Sequence, residues 1–571
     1  MDLFTIRGIV EELKKEILGS FIAKIYQMNR TDMLFRLRRP GDEKQLLIST
    51  HPDFYRLHIT EKKYANPMVP PRFCTYLRKH TLMARITGIS QDPYERVVRL
   101  ALQKKLDAGA VRNLVLVVEL VGKGSNVLLL EGAKILDCLH FHRTEDGVSR
   151  PAEPGLTYTP PDPADRRSLS AVTLETMEEI TPSPPGERWK AMVEKISGVN
   201  PILAREIEFL SDGTTQGLWA VFRLFTERYE RGVFEPRIVT LLGEKKVLTL
   251  FPIKSLGVAW EESFPTVNQA ADSFYFETVM RRQMADQKQS ISKRLKQLLS
   301  RLQRRRENLL QDVKKFKQDI ELKTLGDLLV ANYSRLRKGM RQIEARDYLQ
   351  DPPHSILIPL DEARDPAGNV EKYYKKYKKA KRGLGMTAER ITETEREIAY
   401  LDSVLFQIED AADSGELEEI RKELEEERIL AAPQKQRAAK EKKEKTIPIR
   451  RFRSSDGQEI FCGKSNMGND YLLRTMARGN DLWFHAQGLP GSHVLLRVGR
   501  EEPRLETIAE AATIAAFYSR GRGSTRMPVD YTAAKNVHRP KRTRPGLVTY
   551  SQQKTIRVMP DKEKVQKLLV S

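Results

Sequence analysis

The sequence predicts a multidomain α+β protein in which a long antiparallel coiled-coil arm separates two sheet-containing regions. Three observations carry this reading. The chain has 571 residues, more than one hydrophobic core organises, since domains cluster at roughly 100–150 residues. Two long stretches place apolar residues at alternating steps of three and four, which is the seam of a coiled coil. Before the first stretch and after the second, short runs alternate apolar and polar residues between Gly, Pro and Asp turns, the period of half-buried strands.

The first domain is expected over residues 1–170. Ile6, Ile9, Val10, Leu13 and Ile17 share one face of an opening helix that Gly19 ends. Strands follow at Phe21–Gln27, Met33–Leu37, Gln45–Ser49, Val97–Leu102, Leu114–Leu120 and Asn126–Leu130. The GKGSN run at Gly122–Asn126 superficially suggests a phosphate-cradling loop. It lacks the P-loop spacing and reads as a tight hairpin turn, so no nucleotide is expected there. Glu95-Arg96 stands immediately before the strand at Val97. An arginine can fork onto a phosphate or a base edge while a neighbouring acid orients it; a surface ion pair flanking the strand is the other reading.

Residues 171–265 begin Pro-rich at Thr181–Gly186. Lys195–Ile207 (KISGVNPILAREI) then reads as helix, glycine turn, helix, with Pro201 at a helix start. Such a helix-hairpin-helix either offers its turn amides to a phosphate backbone or serves only packing. Arg237–Phe251 reads as a hairpin turning at Gly243-Glu244.

The arm is expected over residues 266–435. Its outgoing seam is Ile291, Leu295, Leu298, Leu302, Leu309, Val313, Phe316 and Ile320, and its return seam Ile391, Ile398, Leu401, Leu405 and Ile408. Asp351-Pro352-Pro353, Pro359 and Asp365-Pro366 forbid continuous helix between them, so the tip is non-helical. At ~1.5 Å per residue, about forty residues reach on the order of 60 Å. From Arg281 to Lys317 there are 13 basic residues against 3 acidic ones. A one-sided excess on a thin rod favours contact with RNA, through Arg304, Arg305 and Arg306 and, on the return, Lys375 and Lys376. Tyr373, Tyr374 and Tyr377 among these lysines either stack on bases or pack at helical spacing. Ala431–Lys445 reads as a charged linker.

The last domain, residues 446–571, opens with a hairpin turning at Asp456-Gly457 and carries 22 Lys+Arg against 11 Asp+Glu. Ile508–Tyr518 is an Ala-rich helix. The stretch after it interleaves Arg and Lys with Tyr531 and His538, the composition of an RNA-facing loop. The densest run is DLWFHAQGLPGSHVLLR, Asp481–Arg497. Trp483 and His485 fall on one strand face, and Pro490-Gly491 turns the chain into a second apolar run after Ser492 and His493. This composition suits a surface that stacks on bases, and equally a buried Trp with two satisfied histidines in a hairpin.

The formal charge of +21 favours a polyanionic partner. The three cysteines, Cys74, Cys138 and Cys462, lie far apart without metal-ligand spacing, so no zinc or other metal site is expected and a reducing compartment is. No signal-peptide core and no run of ~20 apolar residues is seen, which implies a soluble cytoplasmic protein with no membrane partner.

Asp481, Trp483, His485, Pro490, Gly491, Ser492 and His493 resemble the signature of the NFACT-R domain. Asn66–His80, Glu119–Leu130 and Pro154–Pro161 resemble words of the NFACT-N domain, in family order. On these residues the chain is identified as a member of the NFACT family, similar to its bacterial RqcH-type ribosome quality-control branch. The resemblance implies a glycosylase-like α+β fold for the first domain and an RNA-binding last domain. It implies that Glu95 and Arg96, in place of the family's usual Asp-Arg pair, handle tRNA, as do Asp481, Trp483, His485, Ser492 and His493. It implies large ribosomal subunits stalled with peptidyl-tRNA as partner, at their rRNA and stalk base, and alanyl-tRNA as the species brought for template-free C-terminal alanine tailing. Peptidyl transfer would remain the ribosome's, with no catalytic site and no cofactor in this chain. Met1-Asp2-Leu3 offers neither the N-terminal proline nor the following acid of the glycosylases, so no DNA substrate is expected. The fibronectin-binding label of some relatives offers an adhesin as the rival reading, against which the basic arm and the missing signal peptide count.

Overall fold

The computed structural model describes residues 1–570 other than 65, 66, 68, 107, 108, 143–149, 162–165, 348–353, 432–448, 500, 541 and 542. Asn66 of the first NFACT-N word, the Asp351-Pro352-Pro353 break and nearly all of the 431–445 linker lie outside the described residues. The chain divides into two units, residues 1–282 and 283–571.

In the first unit, helix α1 (Leu3–Glu16) is capped by the Asp2 carboxylate, which accepts from the Thr5 amide at 2.8 Å. All five predicted apolar positions, Ile6 to Ile17, are buried. The strands are β1 (Phe21–Gln27), β2 (Asp32–Arg39), β3 (Asp42–Ser49), β4 (Arg56–Ile59), β5 (Arg85–Gln91), β6 (Val97–Lys105), β7 (Val111–Glu119), β8 (Asn126–Glu131) and β9 (Lys134–Cys138). They form one antiparallel sheet in the order β4-β3-β2-β1-β5-β6-β7-β8-β9, with α2 (Arg72–Thr81) inserted between β4 and β5. The GKGSN run is the β7–β8 turn, as its spacing predicts.

Helices α3 (Leu174–Ile180), α4 (Arg188–Lys195), α5 (Pro201–Leu210) and α6 (Thr215–Arg231) follow, then β10 (Arg237–Leu241), β11 (Lys246–Thr249) and β12 (Val258–Ser263) in a second, three-stranded sheet. These elements share one continuous core with residues 1–170: Leu3 and Ile9 of α1, Phe35 of β2, Leu203 of α5, Phe222 of α6 and Val239 of β10 belong to it. The expected boundary near residue 170 therefore separates no independent core. The α4–α5 turn is part of this packing. Gly198 has φ +85°, and a Cβ there would stand 2.6 Å from Leu3 Cδ2. The Ser197 amide donates to the Arg167 carbonyl at 2.8 Å.

Helix α7 (Val267–Ala331) has 65 residues. Its first turn is capped from α1: the Glu12 carboxylate accepts from the Val267 amide at 2.6 Å and the Asn268 amide at 2.9 Å. In the second unit α7 pairs with α8 (Pro366–Asp410) in antiparallel sense. Lys288 donates to the Ala411 carbonyl just past the end of α8, Phe316 lies against Gly383, and Tyr374 lies against Gly326. A Cβ at Gly383 would sit 2.7 Å from the Phe316 ring, so this layer needs glycine for the aromatic to fit. The non-helical tip is a hairpin of β13 (Gln342–Asp347) and β14 (His354–Pro359).

Helix α9 (Ser414–Glu426) closes the arm base, packing Leu417, Ile420 and Leu424 against Tyr400, Val404 and Ile408 of α8. The last domain contains β15 (Ile449–Arg453), β16 (Glu459–Gly463), α10 (Asn466–Tyr471), β17 (Leu482–Ala486), β18 (Val494–Leu496), α11 (Leu505–Phe517), β19 (Met527–Ala533), β20 (Val537–His538), β21 (Thr549–Tyr550), β22 (Lys554–Val558) and α12 (Lys562–Leu568). Six strands form a sheet in the order β15-β16-β18-β17-β19-β22, and β20 pairs with β21. No helix among the described residues is long and apolar enough to cross a membrane.

Candidate nucleic-acid interface

In the first unit Glu95 and Arg96 occupy the β5–β6 turn. Pro93 and Tyr94 make the bend, with Tyr94 at φ +57°, a left-handed conformation held by its stacking on Tyr229 at 5.8 Å. The turn is tied down on both sides: Arg99 grips Asp92 through two bonds of 2.6 and 2.8 Å, and the Leu120 amide donates to the Arg96 carbonyl at 2.9 Å. The two side chains do not pair with each other, so the flanking ion pair is not formed. Arg96 Nη1 instead donates to the Tyr55 hydroxyl at 3.0 Å, with the guanidinium 5.8 Å from that ring's centre. The Glu95 carboxylate takes no hydrogen bond among the described residues, and burial pushes its pKa above the ordinary carboxylate value against the opposing pull of Arg96. A half-exposed arginine held by a tyrosine, beside a carboxylate with free lone pairs, presents a donor fork and an acceptor side by side. That is the complement of a phosphate next to a base amine. Tyr55 is the partner that sequence reading missed; no spacing signal links positions 55 and 96.

The Asp481–His493 hairpin departs from the RNA-facing expectation. Trp483 and His485 do share one face of β17, stacked with ring centres 5.7 Å apart. That face is covered. Trp483 is 1% exposed, packed among Ile449, Phe461, Leu472 and Leu495, and closed over by Val537, Val548 and Tyr550. Its indole has no free face for a base. Asp481 is equally buried and structural: it pairs with Arg497 at 2.8 Å and accepts from the Arg478 amide at 2.9 Å and the Val498 amide at 3.2 Å. Ser492 Oγ donates to the Gly463 carbonyl at 2.7 Å, and the His493 amide donates to Asn469 Oδ1 at 2.9 Å. As folded, Asp481, Trp483, Ser492 and His493 hold the domain together and do not present themselves to RNA. The physical reason lies downstream: Ala534, Val537, Val548 and Tyr550 roof this face, while Lys535 and His538 stay exposed.

His485 is the one member of the group that keeps partial exposure. Burial pushes its pKa down to about 4 and holds His493 well below the ordinary histidine value, so both imidazoles are neutral near pH 7. Across the sheet from His485 stands Asp530, a buried carboxylate accepting from Thr555 at 2.6 Å, Tyr550 at 2.9 Å and Gln487 at 3.1 Å. The polar residue at an inward position of MPVDYTA was the available sequence signal for this hub.

The arm bears its cations as expected. Arg304, Arg305 and Arg306 are exposed on α7 and pair with no acid among the described residues; Lys375 and Lys376 are exposed on α8. The neighbouring tyrosines are packing residues: Tyr373 donates to the Pro359 carbonyl and Tyr374 to Asp327, each at 2.6 Å.

Comparison with known proteins accounts for both halves. The pattern described as NFACT N-terminal and middle domains matches residues 2–444, and the NFACT protein RNA binding domain matches residues 449–551. The chain is 32% identical over 566 residues to the Rqc2 homolog RqcH of Bacillus subtilis, covering 98% of each chain. It is 29% identical over 199 residues, 35% of this chain and 18% of the other, to the human ribosome quality control complex subunit NEMF. The solved C-terminal structure of the fibronectin/fibrinogen-binding protein from Streptococcus suis is 30% identical, with a TM-score of 0.40 over 50% of this chain and 99% of that one. With one pattern spanning residues 2–444 and a second beginning at 449, in one order and nearly end to end, the chain belongs to the NFACT family.

Proposed function

We propose that this chain acts in ribosome-associated quality control. It binds a large ribosomal subunit that still carries peptidyl-tRNA, holds an incoming tRNA, read as alanyl-tRNA, and supports template-free alanine addition to the stalled nascent chain. Peptidyl transfer belongs to the ribosome, and the chain's own part is positioning. The observation that carries this reading is the exposed, acid-free run Arg304-Arg305-Arg306 on the arm, in a chain whose last domain matches an RNA binding domain. Nothing in the arm's packing uses these three charges, and a row of unpaired guanidiniums is what phosphate backbones recruit. The human relative's name places it in a ribosome quality control complex, and the RqcH-type resemblance supplies the tailing step.

Reversing Arg304, Arg305 and Arg306 to Glu is expected to weaken co-sedimentation with large subunits. The log–log salt dependence should flatten by about one unit of slope for each phosphate the arm no longer neutralises. A salt series indistinguishable from wild type would leave the arm a structural rod.

Arg96→Ala tests the tRNA half separately. It is expected to abolish the tail, read as the mobility of a stalled reporter's C-terminus, while the protein still sediments with subunits. Removing one fork among many phosphate-binding groups changes overall affinity little, whereas removing one that sets tRNA geometry stops productive delivery. Glu95→Asp, which restores the family's usual pair, is expected to be tolerated. If Arg96→Ala loses ribosome and tail together, the division of labour is wrong; if it keeps both, the turn serves no RNA.

A further inference from the structure

Strand β12 is the one strand among the described residues that is exposed along its whole length. It lies at the edge of the three-stranded sheet, in the order β11-β10-β12, and pairs only with β10. Its sequence, VAWEES, holds neither proline nor glycine to blunt it. The ladder to β10 is closed at both ends: the Leu242 amide donates to the Gly257 carbonyl and the Phe264 amide to the Pro236 carbonyl, each at 2.9 Å. Backbone groups alternate in direction along an antiparallel strand. Counting back from Phe264, Glu262 and Trp260 turn theirs toward β10, while Glu261 and Ser263 turn theirs to the open edge. Among the described residues no backbone hydrogen bond covers that edge.

Two further observations separate this edge from an ordinary solvated one. Trp260 is 51% exposed, with Val258 on the same face and the exposed Leu242 leaning on Gly257 at its end. Free edges are normally blunted by charge or proline, not given an exposed tryptophan, a side chain enriched among interface anchors. The flanking charges are both acidic. Glu261 meets Arg237 only at 3.4 Å, and Glu262 pairs with no cation among the described residues. In a chain of formal charge +21 this is an acidic spot, which repels phosphate. It also disfavours a second copy, because two β12 strands side by side would set glutamates against glutamates.

We propose that β12 is a docking edge for an extended, lysine- or arginine-bearing segment of another protein, which adds a fourth strand to this sheet. The outward amides and carbonyls of Glu261 and Ser263 supply the ladder. An aliphatic side chain of the segment lies on Trp260, and the next residue's cation meets Glu261 on the opposite face. Glu262 attracts the segment from beside Trp260. The edge uses no residue of the Arg96 turn or of the arm, so it stands apart from RNA contact.

The test uses the full chain and three labelled peptides. One alternates lysine and valine, one alternates glutamate and valine, and one is the lysine peptide with two prolines inserted at its centre, which keep the charge and break the strand. Wild type should bind the lysine–valine peptide, ignore the glutamate peptide, and bind the proline peptide about tenfold more weakly. Binding should slow hydrogen exchange over residues 258–263, where the Glu261 and Ser263 amides are open in the free chain. Trp260→Ala should weaken the lysine peptide about tenfold, and Glu261→Lys with Glu262→Lys should turn the preference to the glutamate peptide. These side chains are exposed, so the fold survives each change. Failure to bind the lysine peptide, equal affinity for the proline peptide, or binding without slowed exchange at 258–263 overturns the docking edge. A wild-type dimer in sedimentation that Trp260→Ala abolishes also overturns it, and assigns the edge to a second copy of this chain.

Discussion

Trp483→Ala is expected to unfold the C-terminal domain, with RNA binding abolished as a consequence of that unfolding. The ring is 1% exposed and lies tilted on Tyr550 at 4.8 Å, between a strand face contributed by Phe461 and Leu495 and a roof contributed by Val537 and Val548. Truncating a buried Trp typically costs ~3–5 kcal/mol, a large part of the ~5–15 kcal/mol that holds a domain folded. The damage would not stop at the cavity. Loss of the ring frees the roof of Val537, Val548 and Tyr550, and the Ala534 amide's bond to the Asp481 carbonyl, 2.8 Å, lies at the edge of the same hairpin. Hydrogen exchange across residues 449–558 of the full chain should show protection collapse there, while α1 and the nine-stranded sheet stay protected. Trp483→Phe, which refills much of the volume, should retain most of it. Normal protection with abolished RNA binding would mean that the ring reaches RNA after all.

The contrast between that hairpin and the arm shows what periodicity can and cannot reveal. Every seam residue of the arm is buried or half-buried, because a coiled coil is written locally, each residue three or four from the next. Strands β1, β2, β3, β6, β7 and β8 were legible for the same reason. Strand β4 was not, since its buried set includes Arg56 and His58, residues that composition assigns to the surface. In β5, Gly88 sits at a register shift that breaks the alternation. The shared face of Trp483 and His485 followed from period two, but its burial depended on Val537, Val548 and Tyr550, fifty or more residues downstream and dispersed among lysines and arginines. The Glu95-Arg96 turn behaves likewise. Arg96 was recognisable by resemblance, whereas its partner Tyr55 precedes β4, which four other strands separate from β6 in the sheet, so no local pattern announces the contact.

The packing of the arm base against the last domain is expected to weaken as pH rises through neutrality, and Glu423 is the reason. Glu423 of α9 is 1% exposed. It accepts from the Tyr400 hydroxyl of α8 at 2.9 Å and from the Met467 amide at the start of α10 at 3.2 Å, so one carboxyl joins α8 and α9 to the RNA-binding domain. Beside it, Gln407 donates to Asn466 at 2.8 Å. Burial pushes the Glu423 pKa from 4.5 up to about 7, with Glu427 adding to the rise and the bonds from Tyr400 and Met467 opposing it. The sign follows from which state holds the proton. Between pH 4.5 and about 7 the folded protein keeps it and the unfolded chain has released it, so stability falls with rising pH across that window and is level above it. A rise of that size amounts to about 3 kcal/mol, with roughly 2 kcal/mol falling between about pH 5.5 and 8. Arg544, over the Tyr400 ring at 4.9 Å, pairs with Glu427 at 3.9 Å and makes no ion pair with Glu423 among the described residues. Glu423→Gln keeps the shape and an acceptor for Met467 but carries no charge at any pH. Urea unfolding of wild type should lose stability from about pH 5.5 to 8 relative to the Gln variant, and hydrogen exchange should locate the loss in α9 and α10. Parallel pH profiles for the two proteins would show that the carboxyl is ionised in the folded state throughout, and that the junction is indifferent to its charge.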